Sequence, residues 1–549
     1  MWSSTARALL MLASMATIGC VSSPRKQANA SPSTSAEALE SARDAAAHAR
    51  RASGNRAAGL WLACASDAHS AIALGDASPR TVTLLNRCTD AWLTLALDGG
   101  NEWEAGRTRA QGHEIHVEFR GLSPYLAGKV RLVRAADVSM QMYDGARFVQ
   151  PGMGVPLALQ SPRCDDRPAC TLLPYSGVFR PATAWIESDP EAEARLVIVD
   201  PWATPSMTYA SVPIPVAADS SAFYAQGMAP SPVGRLAIWG LLGGDDIGRR
   251  AGVYLMEDYD PHKRPLVMVH GLGSSPLAWA KLSNAVWGRP ELRRNFQIWH
   301  VVYSSDAPLF VARQRLAEYL DTAFSILDPE HDDEARNGIV LVGHSLGGVL
   351  ARLLCADSGN TLWSAAFTVP PERLQGDAAD VAMVQRLLFF KPYPGISRAI
   401  FLAAPHRGSP LASRWYARFV SALAGGRTPE MQALRRIART QPDAIRNELR
   451  LGYQRDDINS IWTLQAAQPV RKVSETLLPA GIPYHTIAGR LPGRTPETDG
   501  AVPLSSALLP GSTSTLVVDS AHDVYRNDDA IDEIVRILES AVLGGAAPP

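Results

Sequence analysis

Ile339-Val340-Leu341-Val342-Gly343-His344-Ser345-Leu346-Gly347-Gly348-Val349-Leu350-Ala351-Arg352-Leu353-Leu354 is the stretch on which the reading of this chain turns. An apolar, β-branched run leads into a serine flanked by glycines, and a helix-like run follows. The pattern is strand, sharp turn, helix, with G-x-S-x-G at the turn. The spacing has a steric cause: the serine takes a strained backbone conformation, and the glycines let the helix approach the strand closely. A hydroxyl raised above a sheet edge at a helix N-terminus sits where backbone N–H groups favour developing negative charge.

Working outward, short apolar runs alternate with helical stretches from about residue 234 to 549. Leu266–Val269, Gln297–Val302, Gly338–Val342, Ala399–Leu402, Tyr484–Ile487 and Thr515–Val518 are the expected strands. Strands separated by helix-length segments imply an α/β domain, a mostly parallel sheet with helices on both faces. Upstream, Trp61, Cys64, Ala68 and Ile72 recur at helical spacing, as do Leu84, Cys88, Trp92 and Leu95, with turn residues from Gly75 to Pro79. Residues 37–97 are therefore expected to form a helical hairpin, a scaffold element. Residues 100–232 change character, with strand-like Glu114–Phe119, Lys129–Val133 and Arg195–Val199 among many prolines and glycines. A β-rich domain is expected there, with a sandwich as one arrangement. His113 and His116 lack cysteine or carboxylate neighbours at ligand spacing and read as surface-strand residues, not metal ligands.

A chain of 549 residues has room for two to four domains, and 46% apolar residues suffice for sizeable cores. Lys and Arg number 53 against 54 Asp and Glu, a net charge of −1. That balance offers no broad basic surface, which excludes nucleic acid as the expected partner. No uninterrupted apolar run of about 18 residues follows the first 20, so a polytopic membrane protein is excluded too.

Residues 1–20 carry Arg7, an apolar stretch from Ala8 to Ile18, and Gly19-Cys20. This reads as a secretory signal. Its end resembles a bacterial lipobox, which implies lipidation of Cys20 and a lipid anchor holding the exported chain in the bacterial cell envelope. Residues 21–36, rich in Ser, Pro and Ala, suit a flexible tether. Cysteine usage fits export: Cys64, Cys88, Cys164 and Cys170 can form two disulfides in three connectivities, of which Cys64–Cys88 with Cys164–Cys170 has the shortest loops. Cys355 reads as a buried small hydrophobe.

Two further motifs accompany the central one. Leu266-Val267-Met268-Val269-His270-Gly271-Leu272-Gly273 is a strand ending in His-Gly. Downstream lie Thr498-Asp499-Gly500-Ala501-Val502-Pro503-Leu504-Ser505-Ser506 and, after Leu516–Val518, Ser520-Ala521-His522-Asp523. On these residues the C-terminal half resembles the α/β-hydrolase superfamily, in particular its lipases and esterases. The resemblance implies Ser345 as nucleophile, His522 as general base and then general acid, and Asp499 as the carboxylate orienting the imidazole, in the family's order Ser, Asp, His. It also implies an oxyanion hole from the backbone N–H groups of Leu272 and Leu346. Glu497, Asp519 and Asp523 are rival carboxylates. His485 reads as core, His406 as loop near the site, and His344 as packing beside the nucleophile.

Between about 408 and 478, Trp415, Phe419 and Leu423 share a helical face and Met431–Ile437 repeats an amphipathic pattern, which predicts a cap over an apolar acyl pocket. A second insertion, Leu362 to Pro394, is expected to line the same cleft. The expected activity is hydrolysis of carboxylic esters, lipid or acyl esters above all, through an acyl-enzyme. No cofactor is required by this chemistry, and no metal-ligating residue is assigned. An acyltransferase, a peptidase and a non-catalytic, surface-anchored binding protein remain as alternatives.

Overall fold

The computed structural model describes residues 32–189, 192–228, 250–408, 428–454 and 469–544. The signal segment with Cys20, residues 21–31 of the tether, residues 234–249 of the α/β region, and Trp415, Phe419 and Leu423 lie outside the described residues; the tether's last two residues, 35 and 36, belong to the first helix.

The N-terminal half begins with α1 (Ser35–Ala49), α2 (Gly54–Ala73) and α3 (Pro79–Ala96). The Ser78 hydroxyl accepts from the Thr81 N–H and Pro79 takes the first helical position, a capping pattern that starts α3. Helices α2 and α3 are the expected hairpin, joined by the Cys64–Cys88 disulfide. The extra helix, α1, buries Ala38, Ala42, Ala45, Ala46 and Ala49, a face too weakly apolar to mark a separate helix in sequence.

Seven strands follow: β1 (Glu102–Trp103), β2 (Gly106–Ala110), β3 (His113–Arg120), β4 (Val130–Arg134), β5 (Val155–Ser161), β6 (Val178–Glu187) and β7 (Ala194–Val199). They form one sheet in the order β1-β4-β5-β6-β7-β3-β2, antiparallel except between β3 and β7. This is not a sandwich. Leu62, Leu85 and Trp92 of the helices share a core with Leu157, Trp185 and Leu196, so residues 37–97 and 100–232 fold around one interior. A second short disulfide, Cys164–Cys170, closes the loop between β5 and β6.

After α4 (Ala222–Met228) comes the second sheet: β8 (Gly252–Leu255), β9 (Arg264–Val269), β10 (Phe296–Val302), β11 (Ile339–His344), β12 (Ile396–Leu402), β13 (Tyr484–Arg490) and β14 (Ser514–Asp519). Its order is β8-β10-β9-β11-β12-β13-β14, and every pairing is parallel except that of β8 with β10. The main covering helices are α5 (Ala280–Trp287), α6 (Leu309–Leu327), α7 (Leu346–Leu354), α8 (Thr361–Ala366), α9 (Ala378–Leu388), α10 (Pro429–Thr440), α11 (Asn447–Gln454), α12 (Pro469–Ser474) and α13 (Asp528–Gly544). Leu316, Phe324 and Leu350 of α6 and α7 join the core on one face, while Val286, Ile534 and Leu538 of α5 and α13 join that on the other.

The described parts of both insertions pack into the first of these cores. Met431, Leu434 and Ile437 of α10 join Val384 and Leu387 of α9 there, and Arg436 clasps Asp380 with two hydrogen bonds of 2.6 Å. The two halves meet through Phe223 and Tyr224 of α4, whose rings lie 4.9 and 5.3 Å from that of Trp287. Arg180 on β6 adds a 2.6 Å ion pair to Asp258. No described helix is long and apolar enough to cross a membrane.

Candidate active site

In a parallel sheet the carboxyl ends of the strands lie along one edge, and the loops leaving them meet. The loop after β11 carries Ser345, the one after β13 carries Asp499, and the one after β14 carries His522. Ser345 has φ 54° and ψ −123°, a left-handed conformation that costs a non-glycine residue about 1–3 kcal/mol. The surroundings hold it there. Its N–H donates to Leu402 O on the neighbouring strand at 2.9 Å. A Cβ added to Gly343 would lie 2.4 Å from Gly347 O, and one added to Gly347 would lie 2.2 Å from Val269 O. Only glycine permits that crossing of strand and helix.

His522 Nε2 stands 2.9 Å from Ser345 Oγ, and His522 Nδ1 stands 2.7 Å from Asp499 Oδ2. The other Asp499 oxygen accepts the N–H groups of Ala501 at 2.8 Å and Val502 at 2.7 Å, so the carboxylate is fixed from behind. Its side chain is 1% exposed and that of His522 is 12% exposed. An ionised carboxylate only accepts hydrogen bonds, so Nδ1 carries the ring proton. Nε2 is then left with a lone pair facing the serine hydroxyl. Of the rival carboxylates, Glu497 and Asp519 are exposed and paired with Arg490, and Asp523 is exposed.

The His270–Leu272 backbone passes against the serine. A Cβ on Gly271 would lie 3.0 Å from Ser345 Cβ. Tyr303 Oη donates to His270 O at 2.8 Å, and Gly273 N–H donates to Ser305 Oγ at 3.2 Å, which pins the turn on both sides of Leu272. Leu346 is the first residue of α7, so its N–H belongs to those a helix leaves without an intrahelical acceptor. Burial pushes the His270 imidazole down to about 4, so this ring stays neutral, stacked on Tyr303 at 4.7 Å. Tyr303 and Ser305 had no mark in the sequence. Their place at the end of β10, level with the other strand ends, is the signal that register could supply.

The remaining histidines separate by environment. His485, on β13, is buried between Arg398 and Ser514. His406 is buried in a loop whose backbone bonds to Ser506, beyond Asp499 in the acid-bearing segment. His113 and His116 on β3 lie 2.6 and 3.1 Å from Glu193 and Asp189, partners far along the chain that sequence spacing did not reveal. His344 does more than pack, since its Nε2 is 2.7 Å from His522 O.

Two groups of metal-ligating side chains occur among the described residues. Cys164 and Cys170, grouped with Asp166, are joined as a disulfide. In the group of Asp328, Asp332 and Asp333, Asp328 is held by Arg336 at 2.6 Å and Asp333 by Tyr259 at 2.5 Å. Neither group includes a residue of the Ser345 site.

Residues 266–537 match the sequence model of the alpha/beta hydrolase family. Comparison with curated proteins gives no match. Among solved structures, the mature form of a Bacillus licheniformis lipase is 18% identical with a TM-score of 0.29, over 52% of this chain and 97% of that one. A lipase-esterase related protein from Clostridium acetobutylicum is 12% identical with a TM-score of 0.26, over 52% and 99%. Esterase B of Lactobacillus rhamnosis is 14% identical with a TM-score of 0.29, over 53% and 81%. Likeness this low carries no activity from those enzymes to this chain.

Proposed function

From an α/β-hydrolase domain in which Ser345, His522 and Asp499 lie in one hydrogen-bonded line, we propose that the chain is a serine hydrolase of carboxylic esters. The observation that carries this reading is the pair of contacts on one imidazole, 2.9 Å to Ser345 Oγ and 2.7 Å to Asp499. A serine hydroxyl is a weak nucleophile at neutral pH and needs a base within hydrogen-bond reach, held in the correct tautomer. His522 takes the hydroxyl proton as Ser345 Oγ attacks the ester carbonyl. The carbonyl oxygen becomes an oxyanion held by the N–H groups of Leu272 and Leu346, an interaction worth about 3 kcal/mol per donor. Imidazolium then gives its proton to the departing alcohol, which leaves Ser345 acylated. Water, deprotonated by the same His522, releases the acid and restores the hydroxyl. Asp499 stays ionised throughout and steadies the imidazolium.

Acyl esters are the substrates this reading proposes. The test is a chain-length series of p-nitrophenyl acyl esters on the full chain and on Ser345→Ala. Hydrolysis by the wild type, reduced about 10⁴-fold or more in the variant, is the expected result. A folded wild type inactive at every chain length would refute the assignment.

A further inference from the structure

His344 precedes the nucleophile at the end of β11 and is 4% exposed. Its Nε2 lies 2.7 Å from the backbone carbonyl oxygen of His522. A carbonyl only accepts, so Nε2 carries the hydrogen and donates it. The His344 ring rests against the His522 ring with centroids 4.9 Å apart, and the Tyr525 ring meets it edge-on at 4.8 Å. On its far side, Nδ1 has no hydrogen-bond partner, and a Cβ on Gly271 would come within 2.9 Å of it. A second proton would therefore be buried without an acceptor. Burial first, and repulsion by His522 next, push this imidazole down to about 3, so the ring is neutral wherever the protein works near neutral pH.

This neutral ring ties together three segments: the strand end at Gly271, the serine turn, and the loop carrying His522. The bond to Asp499 fixes one ring atom of His522 and by itself leaves the ring free to pivot about Nδ1. The bond from His344 fixes the backbone at the root of the same side chain. We infer that His344 is a positioning residue, whose Nε2–H holds the His522 main chain so that the His522 imidazole keeps its contact with Ser345 Oγ. The inference rests on the ester hydrolysis proposed above.

Two substitutions divide this role from packing, because they predict opposite rank orders. His344→Phe keeps a buried ring and removes the donor. His344→Gln loses the ring and keeps an amide donor near the position of Nε2. With p-nitrophenyl esters, His344→Phe should lower kcat about 10- to 100-fold with KM within about twofold, the scale expected when a reacting group is misplaced by a fraction of an ångström to 1 Å. His344→Gln should remain within about fivefold of wild type. The Tm of each variant is measured alongside, and His344→Met replaces His344→Phe if the latter does not fold. An active wild type with His344→Phe equal to or better than His344→Gln overturns the inference alone, as does failure of both apolar variants to fold. An inactive wild type removes the proposed hydrolysis, and the inference with it.

Discussion

Among the described residues, the two large sheets have seven strands each, and they do different things with the same kinds of residue. The N-terminal sheet is mostly antiparallel, so its loops scatter to both ends and its histidines stay on strand faces. His113 and His116 are taken up by Glu193 and Asp189. The second sheet is parallel apart from β8, so its loops converge on one edge. There His522 and Ser345, separated by 177 residues, come within 2.9 Å. The lesson is topological: parallel strands gather distant residues at one rim, whereas antiparallel strands distribute them.

Asp499→Asn tests the rim most severely. An amide can donate to His522 Nδ1 and so favours the wrong tautomer, and kcat should fall about 10⁴-fold with little change in Tm. An activity within tenfold of wild type would show that another carboxylate orients the imidazole. Unfolding measured against pH gives an intermediate effect. Burial pushes His270 down to about 4, and His300 and His344 to about 3. Below about 6.5 the unfolded chain protonates these rings and the native chain does not, so stability falls as pH falls. Each ring contributes up to about 1.4 kcal/mol per pH unit until its native value is reached. Asp200, raised to about 6 mainly by burial, binds its proton earlier in the native state and offsets one ring between about 6 and 4. Thermal melts from pH 7 to 4 should show Tm declining below 6.5, and a flat profile would contradict the buried, neutral assignment. The smallest effect belongs to the other sheet: His116→Ala removes one partner of the buried Asp189 carboxylate, which Arg195 still holds at 2.9 Å, and should cost less than about 1 kcal/mol, with kcat unchanged. A fall in kcat there would end the contrast between the sheets.

Much of the second sheet was legible because its strands are short apolar runs between helix-length segments, and each motif of the site lies within a few consecutive residues. β8 carries little sequence signal because Gly252–Leu255 is short and pairs antiparallel at the edge. In the first sheet the central strands β5 and β6 were hidden by Pro156 and Pro181. Pro181 lies opposite Ala158 of β5, but the β7 ladder begins only at Thr183, so no partner on that side needs the missing N–H. The bond from His344 was invisible for a different reason: its acceptor is a backbone carbonyl 178 residues away, and no side-chain pattern announces a carbonyl. The pairing of α9 with α10 depended likewise on two separate insertions meeting, at Asp380 and Arg436.

The most direct test of the central claim is covalent. The full chain is incubated with an alkyl fluorophosphonate, its intact mass is measured, and the modified peptide is sequenced by mass spectrometry. Attack by an activated serine on phosphorus expels fluoride and leaves a stable phosphonyl ester. The account predicts one adduct per chain, located on Ser345 and absent in Ser345→Ala. A folded wild type that gains no adduct, or one that carries it on another residue, would contradict it.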